Sequence, residues 1–218
     1  MILAIDTATQ YAGLALYDRT GLRAEETWHA GRNHTIELMP RIVRMLQVGR
    51  LDVSDLAAFA VALGPGSFTG LRIGLAIAKG LALPHKLPLI GIPTLDITAY
   101  PWRDSGVKVW AIAQAGRGRI LAACYDRLDG QWQPLAEPRL TNFEDLAARI
   151  EDRVLCTGEI DERGAELLSE GAGQKARVVS PAARLRRAGY LAELAAGHLA
   201  AGQLDDPDTL APIYPAPL

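Results

Sequence analysis

Cysteine is nearly absent from this chain of 218 residues: Cys124 and Cys156 are the two, each inside an apolar run (AACY and VLCTG). Two thiols so placed do not make a disulfide framework, and a reducing cytosol is the compartment expected. Long apolar stretches are missing as well. None approaches the roughly 20 uncharged residues that a membrane-crossing helix needs. The opening MILAID has no basic segment and meets Asp6 at once, so it does not read as a signal peptide; no membrane association is expected. Nor is there a surplus of either charge. With 23 Lys and Arg against 25 Asp and Glu the net charge is −2, which gives no overall basic excess to neutralise a nucleic-acid backbone. The four histidines, at 29, 34, 85 and 198, never fall at i,i+4, so no histidine metal site is expected. A G-x-S-x-G elbow is absent, and neither cysteine has a histidine nearby in sequence.

What the sequence does contain is a pattern that occurs twice. MILAID, YAGLALYD and GLRAEETWHA are short, partly alternating runs joined by turn residues, and they read as an antiparallel meander. A helical stretch follows at 35–47, then the buried strand LAAFAVALG, then a helix over 69–83. The order returns with KVWAIAQA, RILAACYD and QWQPLAEPRL as strands. A helix starts near Asn142, where Glu144 and Asp145 suit its positive end. VLCTG is a strand, 160–169 a helix, RVVS a short strand, and about 182–202 a long alanine-rich helix. The class is therefore α/β, in two lobes with a duplicated βββαβα core: 1–102 and 103–218, joined near YPWRDSG. The proline-rich ending DDPDTLAPIYPAPL is expected to be extended.

The stretch GPGSFTGLRIGLAIAKGLA (64–82) satisfies neither glycine-rich phosphate motif. A Walker loop needs lysine after its last glycine, where this chain has Leu71, and the glycines at 64, 66 and 70 are one residue too widely spaced for G-x-G-x-x-G. A helix capped at Ser67 or Thr69 after a tight turn accounts for it, with an anion at the helix start as the competing reading. The helices are more informative. At 100° per residue, Leu71, Leu75, Ala78 and Ala82 form one stripe of the second, with Ile73, Ile77 and Leu81 beside it. Leu38, Ile42, Met45 and Leu46 form one stripe of the first, widened by Ile36, Met39 and Val43. Each apolar arc covers roughly 220°, twice what a helix buried on one face needs. Either the chain's own sheet and neighbouring helices cover both sides, or the two helices share an apolar face offered to another protein. On the second view the glycines admit a close-packed partner. Pro40 inside the first helix must begin its regular part or bend it.

Two other features carry weaker chemistry. Asp6 ends the first strand where kinase-like folds place a carboxylate for magnesium or phosphate. Thr7, Ala8 and Thr9 follow it instead of phosphate-wrapping glycines, so a turn-capping role is preferred. The run ARLRRAG (183–189), with Lys175 and Arg177, is either a solvated face or a contact to RNA phosphate or an acidic partner.

ILAIDTAT, GLALYD and GPGSFTGLRIGLAIAKGLA, with the later SPAARLRRAGYLA…LAPIYP, resemble the TsaB (YeaZ) family. That family is related to TsaD and to the M22 glycoprotease-like proteins. The resemblance covers nearly the whole chain and implies the two-lobed fold shared by actin, Hsp70 and the sugar kinases. It implies no catalysis of its own. The chain would be a cytoplasmic scaffold or activator of TsaD, which makes the N6-threonylcarbamoyladenosine (t6A) of tRNA. Homodimers and the TsaD pair would form through the two first-lobe helices, and the ATPase TsaE would join the complex. The tRNA would be met only indirectly. No cofactor is implied, beyond an adenine nucleotide at the TsaD junction. On this reading Ile36, Met39, Ile42, Val43, Leu46, Gly70, Leu71, Gly74, Leu75 and Ala78 meet the partner, and Asp6, Thr7 and Ser67 are the vestige of a nucleotide site. Ile42→Glu or Leu75→Glu would then split a dimer and leave the lobe folded. The chain departs from the family pattern at QAGRGRIL, where Gln114 and Arg119 stand in place of acids, and at its short ending YPAPL. A small-molecule kinase or a metallopeptidase of the same superfamily is the alternative. The kinase would need glycines after Asp6 and an acid near 114, and the peptidase its metal ligands.

Overall fold

The computed structural model describes residues 1–214; the last four residues of the ending expected to be extended lie outside the described residues. The chain forms two compact units, Met1–Thr94 with Arg187–Tyr214, and Leu95–Arg186. The division expected at 102, with the second lobe running to the C-terminus, is corrected on both counts. The chain changes unit at 94/95 and returns at 187.

In the first unit β1 (Ile2–Asp6), β2 (Tyr11–Asp18) and β3 (Gly21–His29) form the meander, followed by α1 (His34–Gly49), β4 (Ala58–Gly64), α2 (Phe68–Ala82) and β5 (Leu89–Pro93). The sheet order is β3-β2-β1-β4-β5, with β1 antiparallel to β2 and parallel to β4. Every residue of β1 and β4 is buried, as near-continuous apolar runs in a sheet covered on both faces require. One face, carrying Leu3, Ile5, Leu14 and Leu16, packs on Leu38 and Ile42 of α1 and Leu75 and Ala78 of α2. On the other, α6 (Ala188–Ala200) buries Ala188, Leu191, Ala192 and Ala195.

Glu25 on β3 ties α6 there. Its Oε1 accepts the Gly189 N–H at 2.7 Å and its Oε2 the Arg187 Nε–H at 2.8 Å. A carboxylate shared between a backbone amide at a helix start and a guanidinium makes strong contacts. The helix expected over 182–202 thus begins later, because 181–185 is a separate turn.

The second unit opens with α3 (Thr94–Ala99) and a 3-10 turn at Tyr100–Trp102, and repeats the plan with β6 (Lys108–Gly116), β7 (Arg119–Leu128), β8 (Gln131–Pro134), β9 (Arg139–Thr141), α4 (Phe143–Ala148), β10 (Val154–Gly158), α5 (Glu162–Ala172) and β11 (Ala176–Val178). The order β11-β10-β6-β7-β8 matches that of the first sheet strand for strand, and β9 also pairs with β7. Asn142 caps α4 by accepting the Asp145 N–H at 2.7 Å. The single strand expected over QWQPLAEPRL is two, β8 and β9, since Pro134 and Pro138 interrupt the ladder. This is the duplicated α/β architecture expected.

Candidate functional site

The helix pair α1 and α2 and the turn beneath them hold every residue nominated for partner contact or for the vestigial nucleotide site. They do so in two different ways.

At the end of β1 the chain closes on itself. Asp6 Oδ1 accepts the Ala8 N–H at 2.9 Å, which makes Asp6 the turn cap preferred from sequence. Thr7 Oγ1 donates to the Gly70 carbonyl at 2.7 Å, and the Ser67 N–H donates to the Ala8 carbonyl at 2.7 Å. Ser67 Oγ accepts the Gly70 N–H at 3.2 Å and so caps α2. The fit is close. A Cβ on Gly66 would stand 2.2 Å from the Ala8 carbonyl oxygen, one on Gly70 2.1 Å from that of Thr7, and one on Gly74 2.3 Å from Thr7 Oγ1. The glycines do serve packing, but against the chain's own β1–β2 turn. The idea that Gly70 and Gly74 admit a partner is corrected: both are buried. The β1–β2 turn and the start of α2 are in direct backbone contact.

The apolar arcs divide into an inner and an outer part. Ile42, Leu46, Leu71, Leu75 and Ala78 belong to the chain's own core, so these nominated contacts point inward in the single chain. A carboxylate at Ile42 or Leu75 would be stranded among core side chains, and the expectation that such variants leave the lobe folded is corrected. Ile36 is 75% exposed and Val43 44% exposed. Met39 is half-buried, and Pro40 sits exposed inside a helix that runs unbroken from His34. On α2, Ile73 and Ile77 are half-buried at the core margin, while Ala76 and Gly80 are exposed, with none of the described residues within 4 Å of a Cβ on Gly80. The helices touch each other. Between them they leave Ile36, Pro40, Val43, Ile73, Ala76 and Ile77 wholly or partly open to solvent. The second flank of the arcs is therefore not enclosed by the described residues of this chain.

Polar groups fix the edges of this face. Arg41 pairs with Glu26 on β3 and with Glu37 at 3.6 Å, and its guanidinium lies 4.4 Å from the Trp28 ring centroid, holding α1 to the sheet edge. At the start of α2 the guanidinium of Arg72 lies 3.8 Å over the exposed Phe68 ring and its Nε–H donates to Tyr214 Oη at 3.1 Å. The segment bearing Tyr214 is anchored by the Ile213 N–H on the Leu63 carbonyl (2.8 Å) and by Lys79 Nζ on the Leu210 carbonyl (2.8 Å). Sequence reasoning missed this cluster, because nothing local in SFTGLR signals a partner 142 positions away.

The remaining candidates are placed as follows. Arg187 is engaged by Glu25, and Arg184 donates to the Val179 carbonyl at 3.0 Å, so two arginines of the 183–189 run have structural duties. Burial pushes the Cys124 thiol up to about 11 and that of Cys156 up to about 12, so neither is a thiolate near neutral pH. His34 is buried with Nε2 2.9 Å from the Thr9 carbonyl. Among the described residues no three His, Cys, Asp or Glu side chains come together as a metal-binding group. At the departure from the family pattern, Gln114 holds Glu159, its N–H donating to Oε2 at 2.8 Å.

Fold and site together define a duplicated α/β protein whose first-unit turn is sealed by its own backbone and whose first-unit helix pair is open on one flank. Residues 28–178 match the profile of the family described as TsaD, tRNA N6-adenosine threonylcarbamoyltransferase. The chain belongs to that family, and its relatives include TsaB proteins. It is 41% identical over 128 residues to the tRNA threonylcarbamoyladenosine biosynthesis protein TsaB of Escherichia coli, covering 58% of this chain and 55% of that one. To the TsaB of Bacillus subtilis it is 29% identical over 152 residues, covering 70% and 66%. The matched stretch thus spans about half to two thirds of these relatives' own lengths. The solved structure of YeaZ from Pseudomonas aeruginosa superposes with a TM-score of 0.81 over 98% of both chains at 24% identity, which is likeness of fold.

Proposed function

We propose that this chain is a non-catalytic subunit in the synthesis of tRNA threonylcarbamoyladenosine, pairing with a TsaD transferase, and with a second copy of itself, through the outer face of α1 and α2. The observation that carries the proposal is the exposure of Ile36 and Val43 on α1, with exposed Ala76 and half-buried Ile73 and Ile77 on α2, two helices that touch. Large apolar side chains grouped on one face are the signature of a protein contact rather than of a solvated surface. The names of the curated relatives supply the pathway. The turn at Asp6, Thr7 and Ser67, closed by the Ser67 N–H on the Ala8 carbonyl and without phosphate-wrapping glycines after Asp6, supports the non-catalytic part. TsaE and an adenine nucleotide would join at the TsaD junction, and tRNA would be reached through the complex. No helix among the described residues is long and apolar enough to cross a membrane; a cytoplasmic place is part of the proposal.

The test is reconstitution. Cognate TsaD, TsaE, threonylcarbamoyl-adenylate and tRNA are combined with and without this chain, and t6A is measured by mass spectrometry of nucleosides. Formation is expected to depend on the chain. Equal yields without it, or turnover by this chain in the absence of TsaD, would refute the reading.

A further inference from the structure

The repeated topology makes one difference between the units visible. In the first, α6 has 13 residues, about 20 Å at 1.5 Å per residue, and contacts all five strands. It lies on the face opposite α1 and α2, where Gly13 meets Ala188. In the second unit the equivalent face, with Val109, Leu121 and Tyr125, is covered by α3, of six residues, and the turn Tyr100–Trp102. The cover stops short of β10 and β11 and leaves a groove of about 840 Å³. Trp102, Val107, Leu155 and Val179 form its apolar floor, and Arg153, Lys175 and Arg177 are exposed at its rim. Among neighbouring carboxylates, Asp152 is paired with Lys108 at 2.9 Å and also attracts Lys175, while Glu151 is exposed to solvent.

We infer that this groove docks an acidic amphipathic helix of a partner protein. The duplication supplies the shape, because the fold covers the matching surface of its other half with a helix twice as long as α3. The floor calls for apolar side chains, and three cations on the rim call for carboxylates on the flanks of the occupant. Strand addition at β11 is poorly served, since that strand has three residues and the carbonyl just beyond it, of Val179, is taken by Arg184. A phosphate backbone would satisfy the rim and leave the leucine and valine floor wet, so the helix is favoured over RNA. The groove lies in the second unit and the pairing face in the first, so neither proposal depends on the other.

The probe is a short fluorescein-labelled helix of Leu, Ala and Glu with leucines at i, i+3, i+4 and i+7, read by anisotropy on the whole chain. A copy with Lys for Glu and a short single-stranded RNA are the comparison arms. The acidic helix is expected to bind and the lysine copy not to. Affinity is expected to fall about tenfold or more with Arg153→Glu/Arg177→Glu, and likewise with Ala183→Trp, which fills the groove from an exposed position. Absence of binding, binding untouched by both variants, or RNA binding that Ala183→Trp abolishes in place of helix binding would each overturn the inference. Amide NMR shifts in the unmodified chain need no variant. Acidic-helix perturbations centred on Leu155, Val178 and Val179 support the site, and perturbations confined elsewhere overturn it.

Discussion

Ile36→Glu and Ile42→Glu place the same carboxylate on the same helix, yet they are expected to fail in different assays. Ile36 is 75% exposed and Ile42 1% exposed. Position 36 lies in the first turn of α1, where a glutamate favours the helix through its dipole, so the isolated chain should keep its stability within about 0.5 kcal/mol. In a complex the same side chain would be covered. Losing the burial of one isoleucine forfeits about 1.5–3 kcal/mol, and desolvating a carboxylate adds to that. Pairing with TsaD is therefore expected to weaken by at least about 2 kcal/mol, roughly 30-fold in Kd. A two-fold homodimer contains the change twice, about 4 kcal/mol or three decades. At Ile42 the carboxylate would sit in the core and lose several kcal/mol from a total of about 5–15, so the chain itself should melt early or fail to fold. Sedimentation velocity and calorimetric titration with TsaD read the first effect, thermal denaturation the second. An unchanged dimer and unchanged TsaD affinity for Ile36→Glu/Val43→Glu would refute the placement of the pairing face. An equal drop in melting temperature for Ile36→Glu and Ile42→Glu would refute the division of the arcs.

Two further outcomes follow from the packing. Gly70→Ala drives a Cβ into the Thr7 carbonyl and is expected to cost about 1–3 kcal/mol, whereas Gly80→Ala meets open space and should stabilise the unpaired chain by about 0.5–1 kcal/mol; denaturant titration ranks them, and similar midpoints would contradict the interlocked turn. Glu25→Ala removes the acceptor of both Gly189 N–H and Arg187 and should destabilise by about 1.5–3 kcal/mol, with amide exchange of α6 rising first; unaltered protection in α6 would show that its apolar contacts suffice.

Much of the fold is legible in the sequence because its signals are local. The switch from alternating to helical periodicity occurs twice in the same order, Asn142 and Ser67 announce helix starts with the right side chains, and α1 and α2 fall within two residues of their expected limits. The misses have particular causes. LIGIP is a largely buried strand too short to alternate, so no periodicity announces β5. The return of the C-terminal helix to the first unit depends on Glu25 meeting Arg187 and Gly189, more than 160 positions apart, and no periodicity encodes that meeting.

The site shows the same limit more sharply. A wide apolar arc states that a helix is covered on two sides, but the sequence does not say which half belongs to the chain's own sheet. Leu75 and Ile73 are equally apolar on the wheel; only the position of β1 and β4 makes Leu75 core and leaves Ile73 at the margin. The glycines are ambiguous for the same reason. Gly70, Gly74 and Gly80 occupy one helix, and the first two are small because Thr7 stands against them. Gly80 has no neighbour among the described residues to explain it. A residue that lowers helix stability, exposed beside Ile77 and Ala76, gains nothing for the isolated chain; it becomes intelligible where another helix must come close.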